Sequence, residues 1–120
     1  MSFDEGLYAW VQEALEPLGS VTMRRMMGGA TLYLDGVVFA ILDEGEIWFK
    51  ADAETDALWD REGCARFTFE MGEGKQGSMN YRRAPLDVYD DPDAMRHWAR
   101  LGLEAGLRGA AKKKPKRSRP

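Results

Sequence analysis

Lys112, Lys113, Lys114, Lys116, Arg117 and Arg119 place six cations within the last nine residues of the chain, with no acid among them. Cations at this density neutralise phosphates and gain affinity by releasing counterions, whereas a run without fixed geometry cannot read bases. A weak, salt-sensitive contact with DNA or RNA is therefore one expectation. Pro115 and Pro120 keep the run out of a long helix, so residues 110–120 are expected to form a disordered basic tail behind one domain at residues 1–109. The domain has the opposite sign. All 20 acidic residues and ten of the 17 basic ones lie in residues 1–107, which the whole-chain charge of −3 conceals.

Other candidates for chemistry lack the partners that chemistry requires. His97 is the sole histidine, and a general base needs an orienting group while a metal needs further convergent ligands. Asp90, Asp91 and Asp93 do not follow the calcium-loop pattern of alternating donors around a glycine, and capping of a helix explains them better. Gly28 and Gly29 do not form a phosphate loop, because a strand follows them where a helix is needed. Ser78, Thr31 and Ser118 complete no nucleophile arrangement. The expected class is non-enzymatic, with no metal and no cofactor.

The elements that must carry these residues follow from periodicity. Apolar residues at Phe3, Leu7, Val11, Ala14, Leu15 and Leu18 predict a helix over residues 3–18, capped by Ser2 and stopped by Pro17 and Gly19. Residues 20–29 read as a connector. Residues 30–33, 37–42 and 46–50 then form three strands joined at Asp35-Gly36 and Glu44-Gly45. A short helix over residues 52–61, with Asp52 as its cap, precedes strands at 66–70 and 78–82. Gly72, Gly74 and Gly77 spread the loop between those two strands. A last helix starts behind Asp90-Asp91-Pro92 and ends near Gly106 or Gly109. The fold class is α+β: two layers, with an antiparallel five-stranded sheet and elements in the order α-β-β-β-α-β-β-α.

A chain of 120 residues, 44% hydrophobic and with four Trp, four Tyr and five Phe, has the apolar side chains to offset backbone entropy. Phe39, Trp48, Trp59, Phe67, Phe69 and Trp98 are the candidate packing aromatics, and any of them left outside would mark an interface. The single Cys64 cannot form an internal disulfide, and no apolar stretch approaches membrane-spanning length. The expectation is a cytoplasmic protein with no membrane contact.

The stretch from Met27-Gly28-Gly29 through Tyr33, Asp35-Gly36 and Phe39-Ala40, followed by Glu46-Ile47-Trp48-Phe49-Lys50-Ala51-Asp52, resembles the N-terminal domain of the TfoX/Sxy family of competence regulators. Met79-Asn80-Tyr81, Pro85 and Trp98-Ala99-Arg100 fit its second half. Met27 stands where that family has an aromatic, and Thr31 where it usually has glycine. The resemblance implies a five-stranded antiparallel sheet and marks Gly28, Gly29, Tyr33, Asp35, Gly36, Phe39 and Lys50 as its structural motif. It adds no catalytic residue. The resemblance implies that members regulating competence genes generally have a separate helical C-terminal domain, in whose place the basic run is expected to stand here. The expected function is a regulatory or adaptor protein-interaction module linked to transcription or competence, partnered by an unidentified protein or by itself. Weak nucleic-acid binding through the basic run is the alternative.

Overall fold

The computed structural model describes residues 4–26 and 28–113. Helix α1 (Glu5–Leu15) buries Val11, Ala14 and Leu15 along the stripe that their spacing predicts. Ser2 lies outside the described residues. Capping falls to Asp4, whose Oδ1 accepts from the Leu7 amide at 3.0 Å. The amides of Leu18 and Gly19 fold back onto the Leu15 carbonyl and end the helix.

Six strands follow: β1 (Val21–Met26), β2 (Gly29–Leu34), β3 (Val37–Asp43), β4 (Glu46–Lys50), β5 (Arg66–Gly72) and β6 (Lys75–Arg83). They form one antiparallel sheet in the order β1-β2-β3-β4-β6-β5. The expected α+β succession holds, but the sheet has six strands where five were expected. The added strand lies in the presumed connector. As an edge strand, β1 buries Val21 and part of Met23 while Arg24 and Arg25 face solvent, so its period of two is carried by too few apolar residues to stand out.

Asp35-Gly36, Glu44-Gly45 and Glu73-Gly74 all have positive φ at both positions, the mirror-image turn whose twist matches that of the strands it joins. The third turn corrects the long loop expected between the last two strands, which is a two-residue turn. Gly77 belongs to β6 and lies beneath the Phe69 ring, where an added Cβ would come within 2.7 Å of the ring.

Helix α2 (Asp56–Arg61) begins behind Thr55 rather than Asp52. A 3₁₀ turn at Leu86–Tyr89 leads into α3 (Pro92–Lys113). Asp91 Oδ1 accepts from the amides of Asp93 at 2.9 Å and Ala94 at 3.4 Å, which is the capping role its sequence predicts. Contrary to expectation, α3 passes through both Gly106 and Gly109. These glycines do not stop the helix. At Gly102 and Gly106 a Cβ would lie 2.6 Å from the Phe39 carbonyl oxygen and 2.0 Å from that of Val38. Their absence of side chains lets α3 rest directly on the β3 backbone.

Helices α1 and α3 cover one face of the sheet. Between them and the strands lie Leu15, Leu32, Leu34, Phe39, Phe49, Trp59 and Met95, all fully buried. Trp59 stacks on Phe49 with ring centroids 5.8 Å apart and meets Trp98 at 5.0 Å. Polar links fix the layers to one another. Trp10 Nε1 donates to the Val88 carbonyl at 2.8 Å, and the Ile47 amide donates to the Tyr89 hydroxyl at 2.8 Å. Burial pushes the Tyr89 phenol above its ordinary pKa, which keeps it neutral.

Candidate functional site

The residues of the sequence motif separate in space. Gly29 is buried against β3, where a Cβ would lie 1.8 Å from the Leu42 carbonyl oxygen, and Gly28 forms the exposed turn before it. Asp35 accepts from the Ser20 amide at 2.9 Å and so ties the start of β1 to the β2–β3 turn. Phe39 is core. Tyr33, Gly36 and Lys50 come together, lining with Val37, Val38 and Gly106 a cleft of about 270 Å³ beside the C-terminal half of α3. The Lys50 ammonium sits 5.3 Å from the centre of the Tyr81 ring.

The residues expected to contact nucleic acid begin in the last turn of α3. Lys112 is exposed in the last turns of α3 and Lys113 closes that helix, while Lys114, Lys116, Arg117 and Arg119 lie outside the described residues. Arg108, at the head of the basic segment, is engaged within the domain. Its Nε and Nη2 donate to Asp52 Oδ2 and Oδ1 at 2.6 and 2.9 Å. This pair, chiefly through its hydrogen bond, holds the Asp52 carboxyl below the ordinary carboxylate pKa.

His97 is exposed and sits edge-on to Trp98. Among the described residues no group of three or more His, Cys, Asp or Glu is arranged to hold a metal ion. Cys64 is buried, and burial raises its thiol pKa, so it is not poised as a nucleophile. Among the described residues the buried cation is Arg82. Its Nη1 donates to Asp60 at 2.8 Å and to the Cys64 carbonyl at 3.0 Å, and its Nη2 donates to Asp56 at 3.2 Å, clamping α2 onto β6. Sequence reasoning missed this clamp, because its partners lie some twenty residues apart and carry no local pattern.

The sheet face opposite α1 and α3 carries the most distinctive surface. Thr31, Ile41, Trp48 and Arg83 stand opposite one another on β2, β3, β4 and β6. The Arg83 guanidinium lies 4.9 Å from the Trp48 ring centre, and its Nε donates to Glu46 at 3.2 Å. Trp48 meets Phe67 edge-on at 5.0 Å, and Phe67 reaches Phe69 at 6.3 Å. The ladder leads out along β5 to Phe69, 39% exposed, and Met71, 60% exposed. Beside it an open depression of about 500 Å³ is rimmed by Asp43, Glu44, Glu46, Arg66 and Arg83. Burial first, then the charges of Glu44 and Glu46, pushes Asp43 above the usual carboxylate pKa. Of the six aromatics expected to pack, Phe39, Trp48 and Trp59 are buried, Trp98 and Phe67 are half-buried, and Phe69 is the one left outside.

Residues 13–106 match the model of the TfoX N-terminal domain. The chain belongs to that family. Protein Sxy of Escherichia coli strain K12 is 24% identical over 97 residues, which cover 81% of this chain and 46% of Sxy. The DNA transformation protein TfoX1 of Aliivibrio fischeri is 30% identical over 53 residues, 44% of this chain and 25% of TfoX1. The chain thus spans less than half the length of the curated relatives it matches. In this TfoX N-terminal domain, no helix among the described residues is long and apolar enough to cross a membrane.

Proposed function

We propose that this TfoX N-terminal domain is a non-enzymatic regulatory adaptor that works through protein contacts in the cytoplasm, in the competence regulation with which its family is associated. The observation that carries the reading is the open sheet face. Its aromatic ladder from Trp48 through Phe67 ends in exposed Phe69 and Met71, on a β5–β6 hairpin that extends past the end of β4. Apolar surface of this kind, next to charged residues, is what a protein partner covers. The domain's excess of acid over base favours protein over nucleic acid as the body's partner.

The test is a transcript profile of the native host after deletion of the gene, with complementation by the wild-type chain and by a Phe69→Ser, Met71→Ser double variant. A defined set of transcripts shifts on deletion, returns with the wild type and fails to return with the variant, whose circular dichroism matches that of the wild type. Unchanged transcripts on deletion refute the regulatory reading. Full rescue by the folded variant refutes the role of this face.

A further inference from the structure

β5 closes one side of the sheet. β6 is its hydrogen-bonded neighbour, and every residue from Thr68 to Gly72 is exposed. Its outer row of backbone amides and carbonyls is a template for another strand, the hazard that folded proteins usually blunt with like charges, proline or a covering element. β1, at the other side of the sheet, has such protection, since it carries Arg24 and Arg25 and no acid. β5 reads Arg-Phe-Thr-Phe-Glu over residues 66–70 and contains a compensating pair.

Two copies of an edge strand can join antiparallel about a two-fold axis normal to the sheet. Because facing residues must point to the same side, one residue then faces its own copy. The possible registers differ sharply. Centring on Arg66 or Glu70 sets like charges opposite each other. Centring on Phe67 or Phe69 leaves both charges unmatched. Centring on Thr68 sets Arg66 opposite Glu70 and Phe67 opposite Phe69 of the second copy, each twice by symmetry, with the threonines facing at the centre. All three pairings are of the kinds that stabilise antiparallel strands.

We propose that β5 is a homodimerisation strand, which pairs with β5 of a second copy in the register centred on Thr68 and makes one continuous sheet of the two domains. Local geometry agrees. The irregularity between Arg66 and Phe67 is taken up by β6, where Arg66 faces Arg82 and Phe67 faces Met79, so β5 itself stays regular from 66 to 70. The next irregularity, between Glu70 and Gly72, ends the pairing. Phe67 and Phe69 of the two copies meet on the open face, so the two aromatic ladders run into one another and Phe69 loses its exposure. Five paired residues make a small interface. It belongs to the weak, concentration-dependent class below about 1,200 Å².

The inference rests on the reading of this domain as one that acts through protein contacts and names a second copy as the occupant. It is tested by sedimentation velocity on the full chain from about 10 μM to about 1 mM, a range suited to a weak interface. The wild type shifts from monomer to dimer. Glu70→Arg places arginine opposite arginine at both ends of the register and weakens the dimer by at least about tenfold. Arg66→Glu does the same with two acids, and an equimolar mixture of these two variants recovers the dimer because each supplies the charge the other lacks. Arg66 Nη2 lies 3.9 Å from Asp56 Oδ2 within the domain, so should Arg66→Glu fail to fold through repulsion of Asp56, Thr68→Lys takes its place: it sets lysine against its own copy at the centre of the register and weakens the dimer likewise. A wild type that stays monomeric throughout, or a Glu70→Arg variant that dimerises like the wild type, overturns the proposal. A monomeric wild type that still restores the host transcripts sinks the dimer alone; a charge-dependent dimer with no transcript response sinks the regulatory reading alone.

Discussion

Replacing Gly106 by alanine sets two effects of opposite sign against each other. In an open helix interior alanine is favoured over glycine by about 1 kcal/mol. At Gly106, however, the new Cβ would lie 2.0 Å from the Val38 carbonyl oxygen and 3.0 Å from Val37 Cγ1. Relief requires more than an ångström of movement, and the atom in the way is backbone held in the sheet. The helix must lift, taking with it the packing of Met95 and Ala99 against the strands. Overpacking of this kind costs about 1–3 kcal/mol, and with a close approach to fixed backbone the upper part of that range applies, so Gly106→Ala destabilises by about 2 kcal/mol net. Gly109 is the control on the same helix. A Cβ there meets Lys50 Cε at 3.8 Å, an ordinary contact, so Gly109→Ala stabilises by about 0.5–1 kcal/mol. Urea denaturation followed by far-ultraviolet circular dichroism measures both, and at roughly 4 °C per kcal/mol for a domain of this size the two melting temperatures move apart by about 10 °C. Stabilisation by both substitutions would refute the close contact between α3 and β3. A destabilising Gly109→Ala would refute the continuation of α3 through that residue.

Arg82→Met removes the buried donor to Asp56, Asp60 and the Cys64 carbonyl; because the Asp60 side chain is 69% exposed and regains water, the loss is about 1–2 kcal/mol, read from the same urea curves, and a loss below about 0.5 kcal/mol would show that the clamp is dispensable. Asp52 predicts a pH dependence. Its folded pKa is lowered, so the Arg108 pair stabilises fully above the unfolded carboxylate value near 3.8, and that stabilisation is lost as pH falls through the folded value. Asp52→Asn therefore costs about 1 kcal/mol at pH 7, and the gap to wild type closes below about pH 4; a gap that widens in acid contradicts the assignment. For the basic run, a fluorescence titration with generic duplex DNA is expected to show weak binding with a log–log salt slope no steeper than about −5 for six cations. A version ending at Ala111, which keeps Arg108, loses that binding. Equal binding by both versions refutes a role for the run.

Much of the fold was legible because its signals are local. The period of three and four in α1 and the paired Asp-Gly and Glu-Gly turns each need only neighbouring residues to act, and so does the Asp91 cap ahead of Pro92. The misreadings share a cause. Gly106 looked like a helix stop because glycine is poor in a helix interior, yet the contact that rewards it there is a carbonyl on β3, far away in sequence. β1 escaped notice because an edge strand that buries little beyond Val21 and Met23 hardly differs in pattern from a connector. The motif of glycines, Tyr33, Asp35, Phe39 and Lys50 was visible as a set, but whether its members share a site depends on the third dimension, which brings Tyr33, Gly36 and Lys50 to one cleft and sends Gly29 and Phe39 into packing.

By itself the sequence determined the α+β class, the meander at its centre, the acidic body and the basic run, since these depend on composition, periodicity and turn chemistry read within a few residues. Only the tertiary structure decided which aromatics stay outside and which charges are committed. Trp48 and Phe69 are both large and apolar in strands, and what separates them is how far each lies from the rim of the sheet. Arg108 belongs to the basic segment by position but to Asp52 by geometry. β5 becomes a candidate docking strand through its place at the end of the strand order, because a strand's neighbours are set by long-range pairing that no local pattern records.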